Sequence, residues 1–422
     1  MRVFKFGGAS VKDADAIRNV ADILRQYVGT PLVVVISALG KTTNALEAVV
    51  DAHIQQTGKA AGLLQTVCDQ HLSISRQLIA DEQDPLYSHI AQLCGGVVAM
   101  LGRRPQATYG FVYDQIVSLG ELLSTRIVSA YLQTQGIDND WIDVRLLLRT
   151  DNTYREGQIQ WKQSQQQVKT LVAPIVEQLK MVITQGFLGG TIEGFTTTLG
   201  REGSDYTAAV FANMLDADNM TVWKDVPGIL NADPRLMPNA IKIAQLSYYE
   251  AIEMTYYGAH VIHPKTIKPL QNKGIPLHVR SFVQPDQDGT VVSKDADNLD
   301  TILPPVIVVK ANQLLLSVVS KDFSFMAEEN LSRIYEIFAR HRIKTNLTQN
   351  AAISFSACID NTPNRIKELL DELEEDYSVK SNAGLSLVTI RHYTPEAIAQ
   401  QTKGREIVLE QKSRYTIQML VR

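Results

Sequence analysis

The first segment whose residues could do chemistry is 5–10, Lys-Phe-Gly-Gly-Ala-Ser, which follows a short strand-like run at residues 2–6. Glycines let a backbone approach a phosphate closely, the start of a following helix offers free N–H groups, and Lys5 adds a positive charge. A Gly-Gly turn before a helix is, however, more often simple turn chemistry. Alone, this segment indicates a phosphate site only weakly.

The second and third segments each have a plain structural explanation beside the functional one. Residues 37–44, rich in hydroxyl groups, follow the apolar run 32–36. Ligands of open α/β sheets bind beyond the carboxyl ends of strands, where this loop is expected, but a capped turn into the next helix is equally consistent. In residues 118–124, Glu121 could hold a substrate ammonium group, although a glutamate in a helical stretch usually lies on a solvated face.

The fourth and fifth segments carry the densest polar chemistry. Residues 196–205 place hydroxyls, two glycines, an arginine and an aspartate before a helix, and a purely structural loop seldom has all four. Arginine suits bidentate binding of a carboxylate, Gly-Ser amides suit phosphate, and aspartate suits a metal or an orienting hydrogen bond. Residues 223–235 set Asp225, Asp233 and Arg235 on a Pro/Gly scaffold after another buried strand. Two tight turns would also explain this loop, but its charges favour contact with a nucleotide.

Regular elements must bring these segments together, and the hydrophobic pattern predicts them. Residues 2–6 are typical of a strand, residues 11–27 have a helical period that starts with Ser10 and Asp13, and residues 32–36 are typical of a parallel strand buried on both faces. This order is that of an α/β sandwich. Later elements are predicted as strands at residues 181–184 and 220–223, with a mostly helical stretch at 51–148.

A change of rhythm marks a second domain. Residues 286–305 are rich in Asp, Asn, Gly and Pro, which indicates a boundary, so the predicted domains are 1–295 and 304–422. Beyond the boundary the pattern predicts a βαββαβ order, typical of a ferredoxin-like fold. Its strands are expected at residues 314–319, 343–348, 353–359 and 385–390, with helices at 327–341 and 363–375 and a last strand at 415–421.

Composition excludes several classes of protein. The chain has 422 residues, 45% of them hydrophobic, and a formal net charge of −4, so nothing in its charge favours binding of nucleic acid or an anionic membrane. No apolar run reaches the roughly 20 residues that a membrane span needs. Cys68, Cys94 and Cys358 are odd in number and far apart, so neither a disulfide framework nor a zinc site is expected. With no signal-peptide pattern at the start, the expected location is the cytoplasm.

Taken together, the five segments resemble the aspartate kinases of the amino acid kinase family. The shared motifs are Lys-Phe-Gly-Gly, Ser-Leu-Gly-Glu, Gly-Arg-x-Gly-Ser-Asp, Asp-Val-Pro-Gly-Ile with Asp-Pro-Arg, and Tyr-Gly-Ala-His-Val-Ile-His-Pro-Lys-Thr at residues 257–266. They occur in the family's order and spacing and cover nearly the whole chain. The resemblance implies a three-layer αβα sandwich kinase domain of the amino acid kinase fold, followed by a ferredoxin-like ACT region.

The implied reaction moves the γ-phosphoryl group of ATP, with Mg²⁺, onto the side-chain carboxylate of L-aspartate, the first step of lysine, threonine and methionine synthesis. Matching positions imply roles for individual residues. Lys5 would stabilise the transferring group and Asp205 would orient Lys5 or the Mg²⁺ shell, while no dedicated metal ligands are expected. The implied aspartate ligands are Ser37, Thr43, Glu121, Arg201 and Ser204. The implied nucleotide ligands are Lys5, Gly7, Gly8, Ser10, Lys224, Asp225, Leu230, Arg235 and His260.

Three positions depart from the family pattern. Ala9 stands where threonine is usual, Glu202 where glycine is usual, and His260 where many relatives have a lysine that reaches the ATP phosphates. Glu202 is expected to add a negative charge near an anionic substrate. A neutral imidazole is a weaker phosphate partner than lysine, so Lys265 or Lys224 would compensate, or turnover would fall.

The C-terminal region resembles the paired ACT domains through which aspartate kinases dimerise and sense amino acids. One full ACT unit and a shortened second are expected, with the last strand returning to the first unit. Where lysine-sensitive relatives have Gly-Phe, this chain has Glu329-Asn330, and Asn346, Ala351 and Ala352 replace acidic and hydroxyl groups. The region is therefore expected to serve mainly in homodimerisation, with weak or no inhibition by lysine or threonine. The alternatives are a kinase for another carboxylate and a non-catalytic ACT-containing amino-acid sensor.

Overall fold

The computed structural model describes residues 1–104, 107–178, 180–259, 262–296, 303–322 and 324–422. They form two compact units. Among the described residues, the first unit lies within 1–229, 242–252 and 262–296, and the second within 230–241, 253–259 and 303–422. The division expected between residues 295 and 304 stays a prediction.

The first unit combines parallel strands with helices, five of which, between residues 42 and 134, follow one another along the chain. In chain order they are β1 (Arg2–Phe6), α1 (Ala14–Arg25), β2 (Leu32–Ile36), α2 (Thr42–Ile54), α3 (Ala60–Leu78), α4 (Pro85–Leu101), α5 (Tyr109–Val117), α6 (Leu119–Thr134), β3 (Asn139–Ile142), α7 (Val144–Leu147), α8 (Trp161–Leu171), α9 (Ala173–Glu177), β4 (Met181–Gln185), β5 (Leu188–Gly190), β6 (Thr196–Thr198), α10 (Gly203–Met214), β7 (Asn219–Lys224), β8 (Gln245–Leu246), α11 (Tyr248–Tyr257), α12 (Pro264–Gln271), β9 (Leu277–Ser281) and β10 (Thr290–Val292). Residues of α11 fall in both units.

An eight-stranded sheet in the order β3-β4-β2-β1-β7-β9-β10-β8 forms the middle layer of this unit. Its strands pair in parallel except β9 with β10. Phe4, Phe6, Val34 and Ile36 point to one face, where they share a core with α1 and the helices from α2 to α6. Helix α10 contacts β1 and β2, and Asp205 in its first turn meets Lys5, which points to the other face. Helices on both faces make the expected αβα sandwich.

The first helix starts later than the sequence predicts. Gly8–Val11 form a 3₁₀ turn, and α1 begins only at Ala14, with the Asp13 carboxylate accepting a hydrogen bond from the Ala16 N–H. The hydroxyl of Ser10, which was expected to start the helix, donates instead to the Trp223 carbonyl at 3.4 Å. A residue of a type that often caps helices therefore joins the turn after β1 to β7.

The second unit is built on a six-stranded antiparallel sheet in the order β12-β13-β11-β14-β16-β15. Its elements are β11 (Val306–Ser320), α13 (Glu328–Arg340), β12 (Thr345–Asn350), β13 (Ser354–Asp360), α14 (Pro363–Asp376), β14 (Tyr377–Arg391), α15 (Pro395–Thr402), β15 (Ile407–Lys412) and β16 (Thr416–Val421). Helices α13 and α14 share a core with one face of the sheet, as the βαββαβ prediction requires.

The shortened second half is larger than expected. Strand β11 begins eight residues before the predicted start at residue 314, and its first part pairs with the end of β14. The last strand, β16, pairs with residues 386–391 of β14, where the last strand of the first ACT unit was predicted, and with β15. Helix α15 and strand β15 were not predicted.

The cysteine prediction is wrong for one pair. Cys68 on α3 and Cys94 on α4 are joined in a disulfide, with Cα atoms 6.5 Å apart, while Cys358 is a buried free thiol. A separation of 26 residues along the chain hides their contact, because α3 and α4 pack against each other. The number and spacing of the cysteines therefore did not reveal this disulfide. Within the described residues, the helices are all too short or too polar to cross a membrane.

Candidate active site

The register of the sheet brings four chain segments to one edge. Phe6 at the end of β1 lies opposite Ile36 of β2 and Trp223 of β7, and Ile36 lies opposite Gln185 of β4. In parallel strands the carboxyl ends share an edge, which is where open α/β sheets bind ligands. The segments after these strands, which begin at residues 7, 37, 186 and 225, are therefore neighbours.

An ion pair lies at the centre of this edge. The Nζ atom of Lys5 is 2.6 Å from Oδ1 of Asp205, and the side chains are only 12% and 5% exposed. Burial would raise the pKa of Asp205, but the charges of Lys5 and Lys224 outweigh it and hold the pKa below its ordinary value. The structure thus joins the first, fourth and fifth segments around one carboxylate, and that carboxylate is ionised.

Gly8 is required by a close approach between two loops. A Cβ atom at Gly8 would lie 2.8 Å from the carbonyl oxygen of Gly40 and 2.9 Å from that of Ala38, distances that a side chain does not tolerate. The Gly40 N–H also donates to the Gly8 carbonyl at 3.0 Å. A Cβ atom at Gly7 would lie 3.3 Å from the Lys5 Nζ. Glycine here therefore packs the first loop against the second as well as leaving room beside the Lys5 ammonium group.

Glu121 on α6 is buried rather than solvated. Its side chain is 3% exposed, and the Ala38 N–H donates to Oε1 at 3.4 Å. Oε2 is buried without a hydrogen-bond partner. Burial raises the pKa of Glu121 to about 8, the backbone hydrogen bond opposing that rise. A buried carboxylate with one free oxygen is arranged to receive a cation, because an ammonium group would satisfy the oxygen and ionise the acid.

The hydroxyl loop between β2 and α2 lies beside Glu121. Ser37 is half-buried and its carbonyl accepts a hydrogen bond from Ser124 Oγ at 2.7 Å, which ties the loop to α6. Thr43 is half-buried in the first turn of α2. A Cβ atom at Gly120 would lie 3.0 Å from the Ala38 Cβ and 3.1 Å from the Thr42 Cγ2, so this glycine lets α6 approach the loop.

The fourth segment forms β6, a left-handed turn and the start of α10. Arg201 is exposed between Gly200 at φ +77° and Glu202 at φ +53°. Ser204, 8% exposed, lies in the first turn of α10 next to Asp205. A Cβ atom at Gly186 would lie 2.4 Å from the Ser204 Cβ, so the residue that follows β4 must be glycine for α10 to start here.

Asp114 supports the fourth segment and was not predicted from the sequence. Its carboxylate accepts hydrogen bonds from the Thr198 N–H at 2.9 Å, the Thr198 hydroxyl at 2.8 Å and the Arg155 N–H at 2.9 Å. Burial raises its pKa to about 6, against the effect of these bonds. It anchors β6, which leads into the Arg201 turn. The available signal was a lone acid among the apolar residues of α5.

The fifth segment is divided between the two units. Lys224 at the end of β7 is half-buried and Asp225 is exposed, both in the first unit. Leu230 and Arg235 belong to the second unit, where the Arg235 guanidinium lies 2.7 Å from the Asp233 carboxylate. His260 lies outside the described residues. Among the described residues, no three His, Cys, Asp or Glu side chains come together as a metal-binding group.

Comparison with known proteins identifies the family. Residues 1–281 match the model of the amino acid kinase family. The chain is 33% identical to lysine-sensitive aspartokinase 3 of Escherichia coli over 92% of its own length and 86% of that protein. It is 31% identical to chloroplastic aspartokinase 1 of Arabidopsis thaliana, over 92% of this chain and 68% of that protein.

Solved structures agree with this assignment. E. coli aspartokinase III in complex with aspartate and ADP superposes with a TM-score of 0.83 at 29% identity, over all of this chain and 96% of that one. The same enzyme in complex with lysine and aspartate also gives 0.83 at 29% identity, over all of this chain and 95% of that one. The fold, the ordered motifs and these relatives place the chain in the amino acid kinase family, in its aspartokinase branch.

Proposed function

We propose that this protein is an aspartate kinase, which converts ATP and L-aspartate to 4-phospho-L-aspartate and ADP. The observation that carries the proposal is the buried Glu121 carboxylate with an oxygen free to receive an ammonium group, at the same sheet edge as the Lys5–Asp205 pair. The relatives' known complex with aspartate and ADP supports it. The reaction would supply the first step of lysine, threonine and methionine synthesis in the cytoplasm.

The chemistry needs little from the protein beyond position and charge. A carboxylate is already a nucleophile at neutral pH, so no general base is required. Lys5 neutralises charge on the transferring phosphoryl group, with the N–H groups of Gly7 and Gly8 beside it, and Asp205 holds the Lys5 ammonium in place.

The aspartate ligands divide by charge. Glu121 receives the substrate ammonium and Arg201 its α-carboxylate, and both are needed to distinguish an α-amino acid from a simple dicarboxylate. The remaining aspartate ligands proposed are Ser37, Thr43 and Ser204.

The nucleotide side is proposed from the resemblance and from position. Lys224 adds positive charge beside Asp205, as its effect on the pKa of that carboxyl shows. Ser10 is 1% exposed and its hydroxyl donates to Trp223, so any contact it makes with ATP would be through its backbone. The other nucleotide ligands proposed are Asp225, Leu230, Arg235 and His260.

Mg²⁺ would arrive with the nucleotide. This ion usually takes one or two carboxylates, with phosphates and water completing its shell, so the ionised Asp205 at the sheet edge fits it without a protein cage. When bound, it would neutralise charge on the phosphate oxygens.

A comparison of acceptors tests the proposed function. ADP release should be fast with L-aspartate and slow with succinate, which lacks the ammonium group, and with L-glutamate, which is one methylene longer. Equal rates with succinate would favour a kinase for another carboxylate. ATP binding without ADP release for any acceptor would favour the sensor alternative.

The second unit is proposed to be the ACT region of residues 304–422, and to join two chains in a homodimer after the kinase domain of residues 1–295. Sedimentation equilibrium should give twice the chain mass of 46.9 kDa. Lysine and threonine should inhibit weakly or not at all, because Asn346, Ala351 and Ala352 offer no carboxylate to a lysine ammonium. Strong inhibition by submillimolar lysine would contradict that part.

A further inference from the structure

Glu202 occupies a backbone position that favours glycine. Its φ of +53° and ψ of +30° are left-handed, a region that residues with a Cβ atom enter at a cost. Glycine would relieve that cost, so the presence of glutamate needs another reason.

The reason is a hydrogen bond made by its side chain. Glu202 Oε2 accepts from the backbone N–H of His263 at 3.0 Å. His263 is the residue that caps α12, its Nδ1 accepting from the Lys265 N–H at 3.1 Å. The Glu202 carboxylate is thus engaged with the start of α12, which changes the expectation that it adds an uncompensated charge near the substrate.

A second bond connects the same two segments. Lys265 Nζ donates to the Leu199 carbonyl at 2.9 Å and lies 4.7 Å from the centre of the Tyr206 ring. The first bond is made by Glu202, the residue after Arg201, and the second by Leu199, two positions before Arg201. The exposed Arg201 is therefore bracketed by two bonds to one helix.

We propose that Glu202 is a positioning residue for the aspartate site, which holds the turn around Arg201 by its bond to the start of α12. The inference rests on the proposed function for its kinetic consequence only. Gly200 and Glu202, both with positive φ, flank Arg201. Loss of the Glu202 bond would therefore change the direction in which the Arg201 guanidinium points. The KM for aspartate should depend on Glu202, whereas kcat should not, because Lys5 and Asp205 meet independently of it.

Glu202→Gly and Glu202→Gln give a matched pair of variants. Glycine suits the backbone but removes the acceptor, whereas glutamine keeps an acceptor oxygen at the same reach. Glu202→Gly should raise the KM for aspartate about tenfold, the usual effect of one charge-assisted hydrogen bond. Its kcat should stay within about threefold and its melting temperature should be unchanged or higher. Glu202→Gln should restore the KM to within about threefold of the wild type.

Hydrogen exchange measured by mass spectrometry supplies a readout that needs no turnover. In the protein without ligand, Glu202→Gly should speed exchange at residues 199–206 and at His263, and Glu202→Gln should not. If the wild type failed to phosphorylate aspartate, the proposed function would fall while this comparison still decided the role of Glu202. Unchanged exchange in Glu202→Gly, an unchanged KM for aspartate in an active enzyme, or a glutamine variant as impaired as the glycine variant would overturn the inference.

Discussion

At the scale of single residues, Glu121 shows what the sequence could and could not predict. The motif around it predicted a ligand for an ammonium group, but the helical pattern alone favoured a solvated position. The structure buries it with one oxygen unpartnered. Sequence periodicity could not predict this, because α6 is buried almost all round and a polar residue on such a helix shows no exposed face.

The raised pKa of Glu121 predicts how aspartate binding varies with pH. The free carboxyl is mostly protonated below a pKa of about 8, and only the ionised form can pair with an ammonium group. The KM for aspartate should therefore fall by up to about tenfold per pH unit as pH rises towards 7, and level off above pH 8. Steady-state kinetics between about pH 6 and 9 measure this. A KM that does not change with pH would contradict the burial of the ionisable group.

The raised pKa of Glu121 also predicts that replacing this residue increases the stability of the fold. Because the folded pKa exceeds the ordinary value of 4.5, the unfavourable contribution of Glu121 grows as pH rises from about 4.5 to about 8. Glu121→Gln should therefore raise the free energy of unfolding by about 1 kcal/mol at pH 5.5 and by about 3 kcal/mol at pH 7. Its KM for aspartate should be high at every pH. Denaturant unfolding of both proteins at the two pH values tests this trend. An equal difference in the free energy of unfolding at pH 5.5 and pH 7 would refute it.

At the scale of elements, strands were predicted better than helix starts. Residues 2–6 and 32–36 form β1 and β2 with the expected bounds. The second of these is a continuous apolar run rich in β-branched residues, which has few alternatives to a buried strand. The first helix starts three residues later than predicted, because Asp13 rather than Ser10 caps it, while Ser10 bonds to a strand more than two hundred residues away. Helix α15 and strand β15 were missed because short polar segments carry little periodic signal.

The turn between β1 and α1 should not tolerate a side chain at Gly8. Gly8→Ala would bring a Cβ atom within 2.9 Å of two carbonyl oxygens, so the first and second loops would have to separate. We expect kcat/KM for ATP to fall by more than about tenfold, equivalent to about 1.4 kcal/mol. Gly95→Ala in α4 is the control, since nothing lies within 4 Å of its added Cβ and alanine favours a helix. Equal kinetics for both variants would show that the approach of the loops is unimportant.

At the scale of the whole molecule, the sequence predicted two parts and their classes but not their internal connections. The amino acid kinase sandwich and the ferredoxin-like region were both confirmed. Residues 230–241 belong to the second unit although they follow β7 of the first. The composition of these residues does not indicate that the chain passes from one unit to the other there. The Cys68–Cys94 disulfide is likewise absent from the sequence prediction, since packing of α3 on α4 decides that contact.

The disulfide should contribute to global stability without affecting catalysis. A cross-link that closes a loop of this length restricts the unfolded chain by about 3 kcal/mol, and neither α3 nor α4 carries a residue of the proposed site. Cys94→Ser should lower the free energy of unfolding by up to that amount and leave both KM values unchanged. Cys94→Ser should not respond to reductant, whereas Cys358→Ser, at the buried free thiol, is the control that keeps the disulfide and should respond as the wild type does. A wild-type unfolding curve that is the same with and without reductant would argue against the Cys68–Cys94 disulfide.

We infer that Lys5, held by Asp205, stabilises phosphoryl transfer to aspartate. The most direct measurement is formation of aspartyl hydroxamate with ATP, Mg²⁺, L-aspartate and hydroxylamine, in the wild type, in Lys5→Ala and in Lys162→Ala, where an exposed lysine of α8 is changed in the same way. We predict product with the wild type and Lys162→Ala, and a loss of at least about a hundredfold in kcat for Lys5→Ala, since charge stabilisation of the transition state is removed. Product from Lys5→Ala at the wild-type rate, or no product from a wild type that binds ATP, would contradict the account.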